Sequence, residues 1–389
     1  MDNFRLNIPT DLIFGKDSHK EVGKEVSKYG KNVLVVRLKE STLKTIGIYD
    51  DIILSLKENN INYIEFDGIL PNPRLSRVDE GAKLCKEKNI DFILAIGGGS
   101  VIDSAKSISA AACIEGSFWD IITGKTKFEK YIPYGTISTY PATASEMNAR
   151  TVIVNDETLY KGATSVGIPT FSILNPEVCK SLPKKRMSQG IVDMLAHSME
   201  RYFTNTTAID LTDRMLEGVM KTIISLGLKY TKEGYSYDIA SQLTYAATVS
   251  HNYTLCVGRE TDFASHKIGH ELSGFYDVPH GESLSIIFPA WLKYVKNHNK
   301  ERMAKFFIEV FDVNDNINDL DLTITKGIEK LENFYKELDM PTRLIDLKIN
   351  DLDIEKLVKS GTMNDTITLG FYVKLNSTDV REIYKLAYK

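Results

Sequence analysis

The chain has 389 residues, beyond the ~250–300 at which one hydrophobic core stops growing, so its length predicts two domains and excludes a small peptide module. Its 48 Lys and Arg stand against 52 Asp and Glu, a net charge of −4 with no basic run able to track a phosphate backbone, which argues against a nucleic-acid partner. A hydrophobic content of 43% is that of an ordinary globular chain, and no stretch nears the ~18 apolar residues that a membrane span needs.

The sequence opens Met1-Asp2-Asn3-Phe4-Arg5-Leu6, without a basic-then-apolar signal pattern. Its four cysteines, Cys85, Cys113, Cys179 and Cys256, are scattered with no C-x-x-C spacing, so free thiols and a cytoplasmic location are expected. Residues 6–15 read as an edge hairpin. Residues 32–37, 62–67 and 91–96 are short runs rich in β-branched and aromatic residues, and helix-like segments separate them. That alternation predicts βαβ units and a parallel, Rossmann-like sheet. Further strands are expected at 134–140, 151–154 and 171–174, the last closed by the turn signal Asn175-Pro176. Beyond Pro183 strand-like runs nearly vanish. Residues 184–202, 206–226, 236–252, 264–274 and 320–338 carry helical period, which predicts an all-α second domain over 183–389 after an α/β domain over 1–182.

Two constellations carry chemistry. The strand at 91–96 runs into Gly97-Gly98-Gly99-Ser100 and then a helix-like stretch. Glycines let backbone amides approach an anion, and a helix N-terminus adds free N–H groups and a positive dipole end, so a pyrophosphate fits there. The competing explanation is a tight turn with Ser100 and Asp103 at capping-box spacing. In the helical half, Asp193 and His197 are i and i+4, as are His266 and His270, and His280 follows in Pro279-His280-Gly281. On helices each pair shares a face. One carboxylate and three imidazoles suit a divalent transition metal, while a lone His pair is more often structural. Lys267 stands where a zinc protease needs glutamate, and neither G-x-S-x-G nor a P-loop occurs. A nucleotide turn in one half and a metal set in the other predict a cofactor meeting a metal-held substrate.

These motifs resemble those of the iron-dependent (group III) alcohol dehydrogenases. The resemblance rests on Gly97-Gly98-Gly99-Ser100 with Asp103 and Lys106, on residues 141–148 (Pro-Ala-Thr-Ala-Ser-Glu-Met-Asn), on 171–177, on Asp193-x-x-x-His197, and on the block from Asp262 to Pro289. It is greatest with the butanol dehydrogenase branch, the NADPH-dependent aldehyde reductases. It implies a dinucleotide-binding domain followed by a helical domain holding Fe²⁺ or Zn²⁺ through Asp193, His197, His266 and His280. His270 is then the proton-relay candidate beside the nicotinamide. Ser41, Asn72, Gly98, Gly99, Ser100, Asp103, Thr139, Thr143, Ser145 and Lys161 are the implied cofactor contacts. The implied reaction is hydride transfer between NAD(P)H and a small aldehyde or primary alcohol such as butanal or butanol, with the substrate oxygen on the metal, in a homodimer.

The sequence also departs from that branch. Where the branch has a Gly-Gly-Gly-Ser loop around the adenosine 2′-phosphate, this chain has Arg37-Leu38-Lys39-Glu40-Ser41. Arg37 and Lys39 can pair a phosphate, and Glu40 can hold a ribose diol. The acidic residue that marks NAD-specific members is replaced by Leu38, so the resemblance favours NADP(H), with NAD(H) as the alternative. Ala144 replaces a usual Gly, Phe263 a usual Trp and Gly269 a common Glu, and Glu282-Ser283 follow His280-Gly281 where small residues are usual. Two other functions share the architecture: a metal- and NAD-dependent lyase like dehydroquinate synthase, which uses one Glu and two His as its metal set, and a catalytically retired binding protein.

Overall fold

The computed structural model describes residues 1–314 and 319–388. The chain divides into two compact units, one formed by Asn7–Pro183 with Tyr235–Asn252, the other by Met1–Leu6, Lys184–Gly234 and the residues from Tyr253 onward. The helix predicted at 236–252 forms and belongs to the first unit, a grouping that helical period cannot reveal.

In the first unit the strands are β1 (Asp11–Phe14), β2 (Asn32–Arg37), β3 (Asn62–Phe66), β4 (Phe92–Gly97), β5 (Tyr134–Ser138), β6 (Arg150–Val154), β7 (Lys161–Ser165) and β8 (Phe171–Leu174). Six form one parallel sheet in the order β1-β8-β5-β4-β2-β3, and β6 and β7 make a separate antiparallel pair. The expected hairpin at 6–15 does not form. Its single strand β1 pairs in parallel with β8, because the edge of the sheet offers the hydrogen bonds a hairpin partner would have supplied. The helices here are α1 (Val22–Val26), α2 (Glu40–Ile46), α3 (Tyr49–Glu58), α4 (Leu75–Glu87), α5 (Gly99–Ala111), α6 (Phe118–Ile122) and, later in the chain, α9 (Tyr237–His251).

The strands' period of two sorts their side chains into two cores. Val33, Val35, Leu94 and Ile96 pack with Val22 and Val26 of α1, Leu43 of α2 and Ile52 and Leu56 of α3. Leu34, Val36, Ile93 and Ala95 face the other way, onto Val78 and Ala82 of α4 and Val101, Ile102 and Ala105 of α5. The chain therefore leaves β2 towards one face and the neighbouring β4 towards the other. That reversal makes the ends of β2 and β4 a topological switch point, the place where open α/β sheets bind ligands.

The second unit is helical: α7 (Lys184–Tyr202), α8 (Asp210–Glu233), α10 (Ala264–Tyr276), α11 (His280–Val295), α12 (Lys300–Phe311), α13 (Leu320–Glu337), α14 (Ile354–Gly361) and α15 (Ser377–Tyr388). Helix α7 lies at its centre, with every residue from Met187 to Tyr202 buried. Phe203, Trp291, Phe306 and Tyr372 form an aromatic core, with Phe203 5.4 Å from Trp291 and 5.0 Å from Phe306 between ring centroids.

Candidate metal centre and nucleotide site

Burying α7 on all sides takes Asp193, His197 and Glu200, together with Arg201, out of water. Charges in such a place need partners. The partners come from α10, through His266, and from the first residue of α11, His280. Asp193 Oδ1 is 3.5 Å from His280 Nε2, 3.6 Å from His197 Nδ1 and 3.7 Å from His266 Nε2. One ligand atom each from Asp193, His266 and His280 lies within 4.8 Å of the others. His197 flanks this trio, its ring stacked on His266 at 4.6 Å. His270, half-buried one turn after His266, has its ring 5.0 Å from that of His280.

Asp193 Oδ1 and His266 Nε2 are buried without a hydrogen-bond partner among the described residues. Leaving such atoms unsatisfied costs about 1–3 kcal/mol each, and a divalent cation answers both. The donor set, one carboxylate and imidazoles, suits Fe²⁺ or Zn²⁺. Burial works against charge on His266, but the carboxylates of Asp193 and Glu200 outweigh it and hold the imidazole above its ordinary pKa. Two backbone features let the helices converge. At Gly281 a Cβ would lie 2.4 Å from the Gln189 carbonyl oxygen of α7. Phe263, preceding α10, takes φ 61, unusual for so bulky a residue and often a mark of functional sites.

In the sheet unit the parallel strands send the loops after β2, β3, β4 and β5 to one edge. Asn72, Gly98 and Thr139 to Ala144 lie on those loops, Ser41 lies in the first turn of α2, Gly99 and Ser100 open α5, Ser145 opens a short 3₁₀ turn, and Lys161 lies on β7. Ser41 is exposed, Thr139 and Ser145 are buried, and Asn72, Gly98, Gly99, Ser100, Asp103, Thr143 and Lys161 are half-buried. The glycine loop is tight because the 139–143 segment presses on it. A Cβ at Gly99 would sit 2.8 Å from Thr143 Oγ1, and one at Gly98 3.1 Å from Tyr140 Cβ. Helix α5 begins at Gly99, so Ser100 lies inside it and the Ser100–Asp103 capping box does not form. Asp103 instead accepts from Ser145 Oγ (2.6 Å) and the Val152 N–H (3.0 Å). The fully buried Lys106 donates to Ser145 Oγ (2.7 Å) and the Arg150 carbonyl (2.8 Å). Burial pulls its ammonium down to about 8. At Ala144 the backbone has φ 47, left-handed, which explains why glycine is usual there.

At the end of β2, Arg37 is buried and committed. Its Nε–H donates to Glu65 (2.6 Å), and its Nη1–H groups to the Leu38 carbonyl (2.9 Å) and Asp67 (3.3 Å). The Tyr49 hydroxyl also donates to Glu65 at 3.0 Å, its phenol pushed up to about 12 by burial and then by that carboxylate. Glu40 is paired with Lys44 at 2.6 Å, while Lys39 is exposed.

Glu200 escaped the sequence reading. Its Oε1 accepts from His266 Nδ1 at 2.8 Å and from the His266 N–H at 2.9 Å. Its signal was present: Asp193, His197 and Glu200 are i, i+4 and i+7, one stripe of α7.

Residues 9–176 match the family model for iron-containing alcohol dehydrogenase, and residues 187–388 the model for the C-terminal part of the Fe-containing alcohol dehydrogenase family. The chain belongs to the iron-containing alcohol dehydrogenases. It is 38% identical over 387 residues to the probable NADH-dependent butanol dehydrogenase 1 of Bacillus subtilis (strain 168), covering 99% of each chain. It is 32% identical over 392 residues to the NADPH-dependent aldehyde reductase of Escherichia coli (strain K12), covering 100% of each. The crystal structure of NADH-dependent butanol dehydrogenase A from Thermotoga maritima matches with a TM-score of 0.94 at 35% identity, covering 100% of this chain and 99% of that one.

Proposed function

We propose that the protein is a metal-dependent alcohol dehydrogenase working as an aldehyde reductase, in which hydride passes from a nicotinamide dinucleotide to a small aldehyde such as butanal. The observation that carries this is the convergence of Asp193, His266 and His280, with His197 beside them, around buried polar atoms, Asp193 Oδ1 and His266 Nε2, that have no hydrogen-bond partner among the described residues. Asp193, His197, His266 and His280 are the proposed ligands. A bound Fe²⁺ or Zn²⁺ would act as a Lewis acid that polarises the substrate carbonyl towards hydride. His270, on the less buried side of the cluster, is proposed to hand a proton from an imidazole nitrogen to the product alcohol.

The sheet unit is the proposed nucleotide domain. The N–H groups of Gly98, Gly99 and Ser100 at the start of α5 would hold the pyrophosphate. Asp103 and Lys106 fix the Ser145 hydroxyl between them, while Ser41, Asn72, Thr139, Thr143 and Lys161 complete the proposed contacts. For the choice of nucleotide we favour NADH, against the NADP(H) that the family resemblance suggested. Arg37, the cation placed at the switch point, is already neutralised by Glu65 and Asp67, so a 2′-phosphate dianion would meet carboxylates there. The names of the Bacillus subtilis and Thermotoga maritima relatives, probable NADH-dependent butanol dehydrogenase 1 and NADH-dependent butanol dehydrogenase A, support that reading. We further propose a cytoplasmic homodimer, which sedimentation at micromolar concentration tests.

The deciding experiment reconstitutes the protein anaerobically with Fe²⁺ or Zn²⁺ and follows oxidation of NADH and NADPH by butanal beside a metal-free control. Metal-dependent oxidation, faster with NADH, is expected. No oxidation with butanal or a panel of other aldehydes, under either metal, would refute the proposal. The Lys39→Ala variant tests the nucleotide reading separately, and a loss confined to NADPH would show that Lys39 contributes a phosphate contact that Arg37 does not.

A further inference from the structure

We infer that Glu200 is a positioning residue for the metal centre: it fixes the tautomer and ring orientation of His266. The inference rests on the metal reading above. A carboxylate oxygen only accepts, so the 2.8 Å contact places the proton on His266 Nδ1 and leaves the Nε2 lone pair on the opposite side of the ring. Nε2 is the atom that lies 3.7 Å from Asp193 Oδ1 in the proposed ligand set. The same Glu200 oxygen accepts the His266 backbone N–H, so one atom holds both ends of the residue and leaves the ring little freedom to swing.

Three observations set this apart from an ordinary buried ion. Glu200 has no solvent exposure, so its charge has been withdrawn from water entirely. Its other oxygen, Oε2, is buried without a hydrogen-bond partner among the described residues, so the hydrogen bonds found at this side chain all go to His266. It also shares the α7 stripe with Asp193 and His197, so one rigid helix sets the carboxylate ligand, a flanking imidazole and the group that orients a third. Partners of this kind raise the basicity of a ligating histidine, and their loss typically lowers metal affinity 10–100-fold.

The test compares wild type, Glu200→Gln, Glu200→Ala and His266→Ala by Co²⁺ titration, reading the dissociation constant and the visible d–d spectrum, with thermal melts of the metal-free proteins alongside. Glutamine keeps the size and one acceptor oxygen but loses the charge, so Glu200→Gln is expected to fold, to bind Co²⁺ roughly 10-fold more weakly and to shift the spectrum. Glu200→Ala is expected to lose affinity further, up to about 100-fold. Wild-type affinity and spectrum in a folded Glu200→Gln protein would overturn the inference and reduce Glu200 to a cap on α10. If wild type bound no Co²⁺, or His266→Ala bound it equally well, the metal reading itself would fall, and with it the role of Glu200.

Discussion

Gly281→Ala is the smallest change that should dismantle the proposed metal centre without touching a proposed ligand. The added Cβ would lie 2.4 Å from the Gln189 carbonyl oxygen and 2.7 Å from its Cα. These are backbone atoms of a buried helix, so no side-chain rotation relieves the overlap. Reaching ordinary contact requires α7 and α11 to part by about 1 Å, whereas ligand distances tolerate only about 0.2 Å. His280 adjoins Gly281 and Asp193 lies one turn beyond Gln189, so the 3.5 Å approach between them would open with the helices. Overpacking of this kind costs about 1–3 kcal/mol, and a domain of this size loses about 2–4 °C in Tm per kcal/mol. The metal-free variant should melt several degrees below wild type and bind Co²⁺ at least ten-fold more weakly. Gly218→Ala is the control. It sits exposed in α8 with nothing within 4 Å of a new Cβ, and alanine there should stabilise by roughly 0.5–1 kcal/mol. Unchanged melting and metal affinity in Gly281→Ala would show that the two helices do not converge as described.

His266→Ala should abolish metal retention and turnover together, while His270→Ala should retain metal and lose rate; metal analysis beside steady-state kinetics separates the two. Burial, then the charge of Glu200, pushes the Asp262 carboxyl up to about 7 from 3.8. The native state thus holds a proton that the unfolded chain releases from about pH 4 upward, so the stability from this group is full below that pH and lost as pH rises through 7. Asp262→Asn should flatten that part of the stability profile in urea melts of metal-free protein, and an unaltered profile would place the titration elsewhere. Burial pushes the Cys85 and Cys179 thiols up to about 12 and about 11. A thiol reagent should therefore modify at most Cys113 and Cys256 in the native protein and all four cysteines after unfolding.

The sequence by itself determined what is local. The runs at 32–37 and 171–174 and the helix at 184–202 appear at the residues their periodicities predict, because a pleated strand or a helix buries a fixed face whatever lies opposite. Spacing likewise put Asp193 and His197 on one helical face, and the glycines after β4 marked a turn open to an anion. Tertiary structure decided the rest. Residues 161–165 carry no strand pattern, since β7 exists only by pairing with β6. Arg37 looks like a phosphate ligand until β3 places Glu65 beside it, 28 residues away in sequence. Glu200 reads as one more helical acid until α10 brings His266 against it from 66 residues away. In each case the chemistry of the side chain is set by a partner distant in sequence, and periodicity carries no information about which distant segment will close the contact.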